Sequence, residues 1–142
     1  MTDSNNKPTT INQFTEACYD NAESKGFYAT KTRIEELIRD EVISGRSERE
    51  PMERLMAEFQ SIWGLSRLAL IMTELAEAAE AIRKPALASD HLDGFALLDE
   101  ELADVFIRLA DLSGSMGVDL EAAIHAKTGR KVGMTDLTAI AI

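Results

Sequence analysis

Four acidic residues form two matching pairs along the chain. Glu74 and Glu77 are three residues apart in the segment TELAEAAE, and Glu101 and Asp104 are three residues apart in EELADVFI. Residues three apart on a helix project from one face, with Cβ atoms about 5–6 Å from each other. Carboxylate oxygens, without thiolate or imidazole, are ligands that suit Mg²⁺ or Mn²⁺. The spacing therefore predicts a divalent-metal site, provided that the two segments are neighbouring helices.

Helical periodicity and capping signals divide the chain into four to five helices. The predicted helices span residues 10–25, 32–44, 52–84, 95–114 and 120–128. Three of them are preceded by a serine or threonine with a glutamine or glutamate three residues later, the spacing of a capping box. These pairs are Thr10 with Gln13, Thr32 with Glu35, and Ser47 with Glu50. Pro85 ends the long helix, and Asp119 caps the last one.

The two central helices carry apolar side chains at alternating spacings of four and three residues. In the first these are Leu68, Met72, Leu75, Ala79 and Ile82, and in the second Leu98, Leu102, Val105, Leu109 and Leu112. Such a stripe is typical of helices packed at a shallow angle, and a short connection makes them antiparallel. The prediction is an all-α, antiparallel helical bundle in which the stripes form a seam and the four carboxylates converge along its edge.

The composition fits one globular domain over residues 1–142, with a tail at 1–9 and an unassigned segment at 132–142. The net charge of −10 argues against general nucleic-acid binding, which needs a basic surface. No apolar run reaches the roughly 18 residues of a membrane span, and the polar start MTDSNNKPTT is not a secretory signal. We expect a cytoplasmic protein without a membrane partner. Cys18 is the single cysteine, so no internal disulfide can form.

The paired acidic motifs resemble those of the MazG-like family of all-α nucleotide pyrophosphohydrolases. The segments EELADVFIRLADL and GVDLEAAIHAK are similar to the family's second metal helix and the short helix after it, and NAESKGFY is similar to an N-terminal segment of one branch. The resemblance implies Mg²⁺-dependent hydrolysis of a nucleoside triphosphate to the monophosphate and pyrophosphate, by a homodimer or homotetramer. It places Glu74, Glu77, Glu101 and Asp104 at the metal-ligand positions.

The resemblance also implies which residues bind the substrate. Lys127 matches a family lysine that meets the phosphates. A family asparagine four residues later is replaced here by Lys131, which follows Arg130. Asn21 and Lys25, within NAESKGFY, are further candidates. Apart from the resemblance, Phe27 and Tyr28 are candidates for contacts with the base, because aromatic faces stack on bases.

Chemistry assigns Glu77 a second role, because a carboxylate that is not fully used by the metal can accept a proton from the attacking water. Other polar residues near the acids have two interpretations each. Arg108 and Asp111 either form a surface charge ladder or orient the site, and Glu80 either joins the site or faces water. Glu100 is predicted at the surface, and Trp63 is predicted to pack in the core or an interface.

Three alternatives belong to other functional classes or to relatives of the same fold. A phosphoribosyl-ATP or dUTP hydrolase would use the same acidic motifs. A non-enzymatic helical regulatory protein would carry the acids merely as a solvated face. A di-iron bundle needs a glutamate three residues before a histidine, whereas alanine stands three residues before both His91 and His125.

Overall fold

A computed structural model of the protein describes residues 7–85, 88–89 and 91–129. Within these residues the fold is all-helical, as the sequence predicts. The five helices are α1 (Ile11–Ser24), α2 (Ala29–Ile43), α3 (Arg49–Arg83), α4 (Leu97–Ser115) and α5 (Leu120–Thr128). None of the helices in these ranges is long and apolar enough to cross a membrane. The segment 132–142 and most of the predicted tail at 1–9 lie outside the described residues.

The caps predicted for α1 and α5 are confirmed. Thr10 accepts a hydrogen bond from the Gln13 backbone N–H at 3.1 Å, although the Gln13 side chain bonds back to the N–H of Thr9 rather than to that of Thr10. Asp119 accepts a hydrogen bond from the Ala122 N–H at 3.0 Å. Each bond satisfies a backbone donor that has no partner inside the helix.

The predicted starts of α2 and α3 are wrong. Helix α2 begins at Ala29 rather than Thr32, since the buried Tyr28 holds the chain in place and its carbonyl accepts the Thr32 N–H at 2.9 Å. Ser47 does not cap α3, which starts at Arg49 without a side-chain cap. The Ser47 hydroxyl instead donates to the Glu41 carboxylate. In both places a tertiary or neighbouring contact replaces the local capping signal.

Helices α3 and α4 pack against each other in antiparallel orientation. Residues later in α4 contact residues earlier in α3. The contacting pairs, in order, are Glu77 with Glu101, Glu74 with Arg108, and Gly64 with Met116. On its other side, α4 packs against α1. There the Phe14 and Phe106 rings stack with centroids 5.2 Å apart. Helix α4 is therefore the central element of the bundle.

The buried face of α3 is not the predicted apolar seam. The buried residues are Gly64, Ile71, Glu74, Ala78 and Ala81. The predicted seam residues Leu68, Met72, Leu75, Ala79 and Ile82 are all exposed. Glycine and alanine allow two helix backbones to approach closely, so the α3 face with small side chains packs against α4 and the leucine-rich face next to it stays outside. On α4 the prediction holds in part, since Leu112 is buried and Leu102 is exposed.

Candidate metal centre

Three of the four predicted ligands come together between α3 and α4. One carboxylate oxygen each of Glu74, Glu77 and Glu101 lies within 4.8 Å of the other two. Glu74 and Glu101 are buried, and Glu77 is exposed at the open side of the group. The spacing of three places Glu74 and Glu77 on one side of α3, and the small Ala78, one turn after Glu74, keeps this part of α3 close to α4. We call these three residues the acidic triad.

Within the acidic triad, the ionised form of Glu101 is disfavoured. Burial, followed by the charge of Glu77 and a hydrogen bond with it, raises the pKa of the Glu101 carboxyl above its ordinary value of 4.5. The charges of Glu74 and Glu100 act in the same direction. A buried carboxylate next to others is stabilised either by a proton or by a cation. This arrangement can therefore bind a positive ion.

Asp104, the fourth predicted ligand, does not belong to the acidic triad. It lies one turn beyond Glu101 on α4, where it lines a neighbouring pocket of about 450 Å³. The same pocket is lined by Asn21 and Lys25, two of the predicted substrate-binding residues. The structure therefore brings residues of α1 and α4 together beside the acids, although these residues are far apart in the sequence.

This pocket contains three cationic side chains and an exposed aromatic ring. The cations are Lys25, Arg67 and Arg108, and the ring belongs to Phe27, which is 59% exposed. Arg67 lies on α3 two turns before Glu74. The sequence does not predict this residue, because an arginine among apolar residues of a long helix carries no motif of its own. The only signal for it was that Arg67 falls seven residues before Glu74, on the same face of α3.

The Arg67 guanidinium packs over two adjacent aromatic rings. Its guanidinium carbon lies 5.1 Å from the centroid of the Tyr28 ring and 4.8 Å from that of the Trp63 ring, both cation–π distances. Trp63 also contacts Phe59 and Tyr28, so its predicted packing role is confirmed. The rings fix the position of Arg67 at the pocket wall.

Arg108 joins the pocket to the acidic triad. Its Nε atom lies 2.7 Å from Glu74 Oε1, across the α3–α4 interface. Of the two interpretations of Arg108, the one that orients the site is the one the geometry supports. Asp111, one turn later, accepts a hydrogen bond from the Tyr28 hydroxyl at 2.6 Å.

Tyr28 is not available for the base contact that the sequence suggested. Its side chain is buried, and burial together with the hydrogen bond to Asp111 raises the pKa of the hydroxyl to about 12. Cys18 also lines the pocket, and burial, followed by the charge of Asp111, raises the pKa of its thiol. Both groups stay protonated at neutral pH, so they serve as neutral walls of the pocket.

One of the phosphate contacts predicted near the C-terminal end lies within the described residues, and the structure does not bring it to the site. Lys127 is exposed on α5 and does not line the pocket beside the acidic triad. Helix α5 contacts α1, where the Asn12 side chain bonds to Asp119 at 2.9 Å. Arg130 and Lys131 lie outside the described residues.

The two acids flanking the motifs have structural partners. Glu80 pairs with Lys84 at 2.7 Å and with Arg83, so it does not join the acidic triad. The surface prediction for Glu100 is wrong. Its largely buried carboxylate accepts the Ser89 hydroxyl and lies 2.9 Å from His91 Nδ1, which fixes the connection before α4.

The donor set of the acidic triad fits a hard divalent cation. It consists of carboxylate oxygens, which Mg²⁺ and Mn²⁺ prefer. The single positive charge of Arg108, which pairs with Glu74, does not balance three carboxylates. Exposed acids alone would be a solvated surface, but two of these three are buried. No protein-family model matches the chain, and neither a curated protein nor a solved structure matches it.

Proposed function

We propose that the protein is a Mg²⁺-dependent nucleoside triphosphate pyrophosphohydrolase. The observation that carries the proposal is the acidic triad of Glu74, Glu77 and Glu101, which opens beside a pocket with three cationic side chains. An acidic group suits a divalent cation, and a neighbouring pocket in which three cations outnumber the carboxylates of Asp104 and Asp111 suits a phosphorylated molecule. The resemblance of the acidic motifs to the MazG-like family supports the same assignment.

In this proposal, Glu74, Glu77 and Glu101 hold the cation, with Asp104 at the side of the pocket. Bound Mg²⁺, or Mn²⁺, would neutralise charge on the phosphate oxygens and favour ionisation of the attacking water. Glu77 is the exposed member of the acidic triad, so one of its oxygens is accessible to that water and accepts its proton. The buried Glu74 and Glu101 position the cation.

The pocket orients the nucleotide. Lys25, Arg67 and Arg108 provide the positive charge that stabilises negative charge developing on the leaving phosphates. Phe27 offers an exposed ring face on which a base can stack. In this account Arg67 and Arg108 take the role that the resemblance gave to Lys127, and Asn21 contacts the sugar or phosphates.

The expected products are a nucleoside monophosphate and pyrophosphate. The chain contains no G-x-x-x-x-G-K-[S/T] loop of the kind that holds phosphates for γ-phosphoryl transfer. A compact cation site beside several basic side chains suits a leaving group of high charge, and pyrophosphate carries more charge than orthophosphate. A nucleotide substrate also suits a cytoplasmic location.

The functional unit is a homodimer or homotetramer. The outer face of α3 carries Leu65, Leu68, Met72, Leu75 and Ile82, which are between 46% and 69% exposed. A run of large apolar side chains along five turns of one helix is more than a monomer normally leaves in water. Pairing with the same face of a second copy would cover it, and would also place a second set of helices near each site.

Product analysis tests the assignment. The protein is incubated with Mg²⁺ and each common ribonucleoside and deoxyribonucleoside triphosphate, and the products are separated by ion-exchange chromatography. We expect monophosphate and pyrophosphate from at least one substrate, no turnover in excess EDTA, and loss of activity in Glu74→Gln. The matched control, Glu58→Gln, removes an exposed acid from the same helix and should keep full activity. Diphosphate with orthophosphate as primary products, or no turnover of any triphosphate, would refute the proposal.

A further inference from the structure

Within the described residues, Arg108 is the cation that pairs with the acidic triad, and it also lines the adjacent pocket, the proposed nucleotide pocket. It lies two turns after Glu101 on α4, and its Nε atom is 2.7 Å from Glu74 Oε1 on α3. The Glu74 side chain is only 10% exposed, whereas that of Arg108 is 42% exposed. One guanidinium therefore connects a buried carboxylate on one side with an open pocket on the other.

The contact between Arg108 and Glu74 neutralises charge without forming a well-directed hydrogen bond. The Nε atom is buried, yet its N–H has no hydrogen-bond partner among the residues that the structure describes. At 2.7 Å from the oxygen, this N–H is therefore directed away from it. Charge-assisted hydrogen bonds are strong when donor and acceptor are aligned, and a misaligned pair keeps mainly its Coulomb attraction. Such a partner is easily exchanged for another cation.

The charge around Glu74 favours that exchange. Three carboxylates share the space, and Arg108 is the one arginine or lysine ion-paired with any of them within the described part of the chain. A divalent cation offers Glu74 twice the charge of a guanidinium and interacts with Glu77 and Glu101 at the same time. The guanidinium and the metal ion therefore compete for the same carboxylate.

We propose that Arg108 is an exchangeable counter-ion, which pairs with Glu74 in the metal-free protein and is displaced into the nucleotide pocket when a divalent cation binds. The inference rests on the proposed metal site. Displacement frees the guanidinium beside Lys25 and Arg67, where a polyphosphate can bind it in a bidentate manner. Metal and anionic substrate then favour each other's binding, because whichever binds first weakens the Arg108–Glu74 pair. Arg108 is a positioning residue for Glu74 before the metal arrives, and a substrate contact afterwards.

Calorimetric titration of Mn²⁺ into the metal-free protein, without nucleotide, tests the competition. Arg108→Met removes the competitor and keeps an unbranched aliphatic side chain. We expect it to bind Mn²⁺ about fivefold more tightly than the wild type, the upper end for a partly exposed ion pair. The matched control Lys25→Met removes a positive charge from the same pocket without touching Glu74, and should change the affinity less than about twofold. Equal or weaker Mn²⁺ binding by Arg108→Met, or an equal gain in Lys25→Met, would overturn the inference.

The wild-type protein provides a test that does not depend on a variant that folds. In an NMR spectrum of the ¹⁵N-labelled protein, the Nε–Hε signal of Arg108 is followed while Mg²⁺ is added. We expect this signal to shift in step with metal saturation, and the Arg67 signal to stay within a fraction of that shift. An Arg108 signal unchanged at saturating Mg²⁺ would reject the exchange but leave the metal site intact. Failure of the wild type to bind either ion would reject the metal site itself, so the two failures are distinguishable.

Discussion

Glu101 is the member of the acidic triad whose pKa is raised by burial and by the neighbouring carboxylates. Its side chain is buried, and the carboxylates of Glu77, Glu74 and Glu100 all act on it. In the unfolded chain the same group is surrounded by water and ionises near 4.5. Folding therefore favours the protonated form of Glu101. The contribution of this group to the free energy of unfolding consequently depends on pH.

Replacing Glu101 with glutamine should stabilise the metal-free protein at neutral pH. Because the folded-state pKa is raised, the favourable contribution of the protonated group is complete below about 4.5 and disappears as the pH rises through the raised pKa. At pH 7.5 in EDTA, we expect Glu101→Gln to melt about 2–4 °C above the wild type, the shift that roughly 1 kcal/mol gives in a chain of this size. The difference should shrink as the pH falls towards 4.5.

The comparison between variant and wild type is needed because other carboxyl groups act in the opposite direction. Hydrogen-bonding partners lower the pKa of Glu35 and Asp119. The stabilisation that these two carboxylates give to the folded protein is therefore lost as the pH falls. Glu58→Gln, on the exposed side of α3, controls for loss of an acid in general and should leave the melting temperature nearly unchanged. A lower melting temperature for metal-free Glu101→Gln at pH 7.5 would mean that its carboxylate stabilises the fold.

The sequence predicts which residues form each helix better than it predicts which face of the helix is buried. Pro85 and Asp119 act through the local backbone, so the end of α3 and the start of α5 are correct. The facing of α3 was wrong, because this helix has two apolar faces and the larger side chains lie on the exposed one. Periodicity ranks faces by hydrophobicity, whereas the close approach of α4 selects the small residues Ala78 and Ala81.

Two helical glycines should respond in opposite ways to replacement by alanine. A Cβ atom at Gly114 would lie 2.8 Å from Tyr19 Cβ and 3.0 Å from the Thr15 carbonyl oxygen, so α1 would have to move. A Cβ atom at Gly64 would lie 3.6 Å from the Met116 side chain, an ordinary contact. Alanine gains about 1 kcal/mol of helix propensity at either site. Gly64→Ala should therefore stabilise by up to about 1 kcal/mol, and Gly114→Ala should destabilise by about 1–3 kcal/mol.

Urea denaturation followed by circular dichroism measures both variants. The pair controls for helix propensity, since the same substitution is made in both helices. Equal stabilisation by the two variants would show that α1 does not pack closely against Gly114.

At the scale of the whole molecule, the site was predictable where its residues share a motif. The spacing of the acids and the neighbouring helices predicted four converging carboxylates, of which Glu74, Glu77 and Glu101 come together and Asp104 does not. Arg67 was missed and Tyr28 was misassigned, because their roles come from contacts between α2, α3 and α4 that no local pattern reports. The sequence places Arg108 on the same stripe as Asp104, but its contact with Glu74 depends on the register between two helices.

The exposed face of α3 predicts self-association. Met72 lies in the middle of that face and is 69% exposed. Met72→Glu places a charge where a second copy would cover it, and an unpaired buried charge strongly disfavours association. By analytical ultracentrifugation, we expect a dimer or tetramer for the wild type and a monomer for Met72→Glu, with the fold retained.

Leu37→Glu is the matched control, since Leu37 is 57% exposed and lies on a different helix, α2. It should sediment like the wild type. A monomeric wild type at tens of micromolar, or dissociation by Leu37→Glu but not by Met72→Glu, would show that copies do not pair through the exposed face of α3.

The proposed function depends on a cation bound by the acidic triad, which a crystal soaked in Mn²⁺ would show. We predict an anomalous difference peak between α3 and α4, with oxygens of Glu74, Glu77 and Glu101 about 2–2.5 Å from the ion. The Arg108 guanidinium should then have moved away from Glu74. Saturating Mn²⁺ with no peak among these three carboxylates, or a peak held only by other residues, would contradict the account.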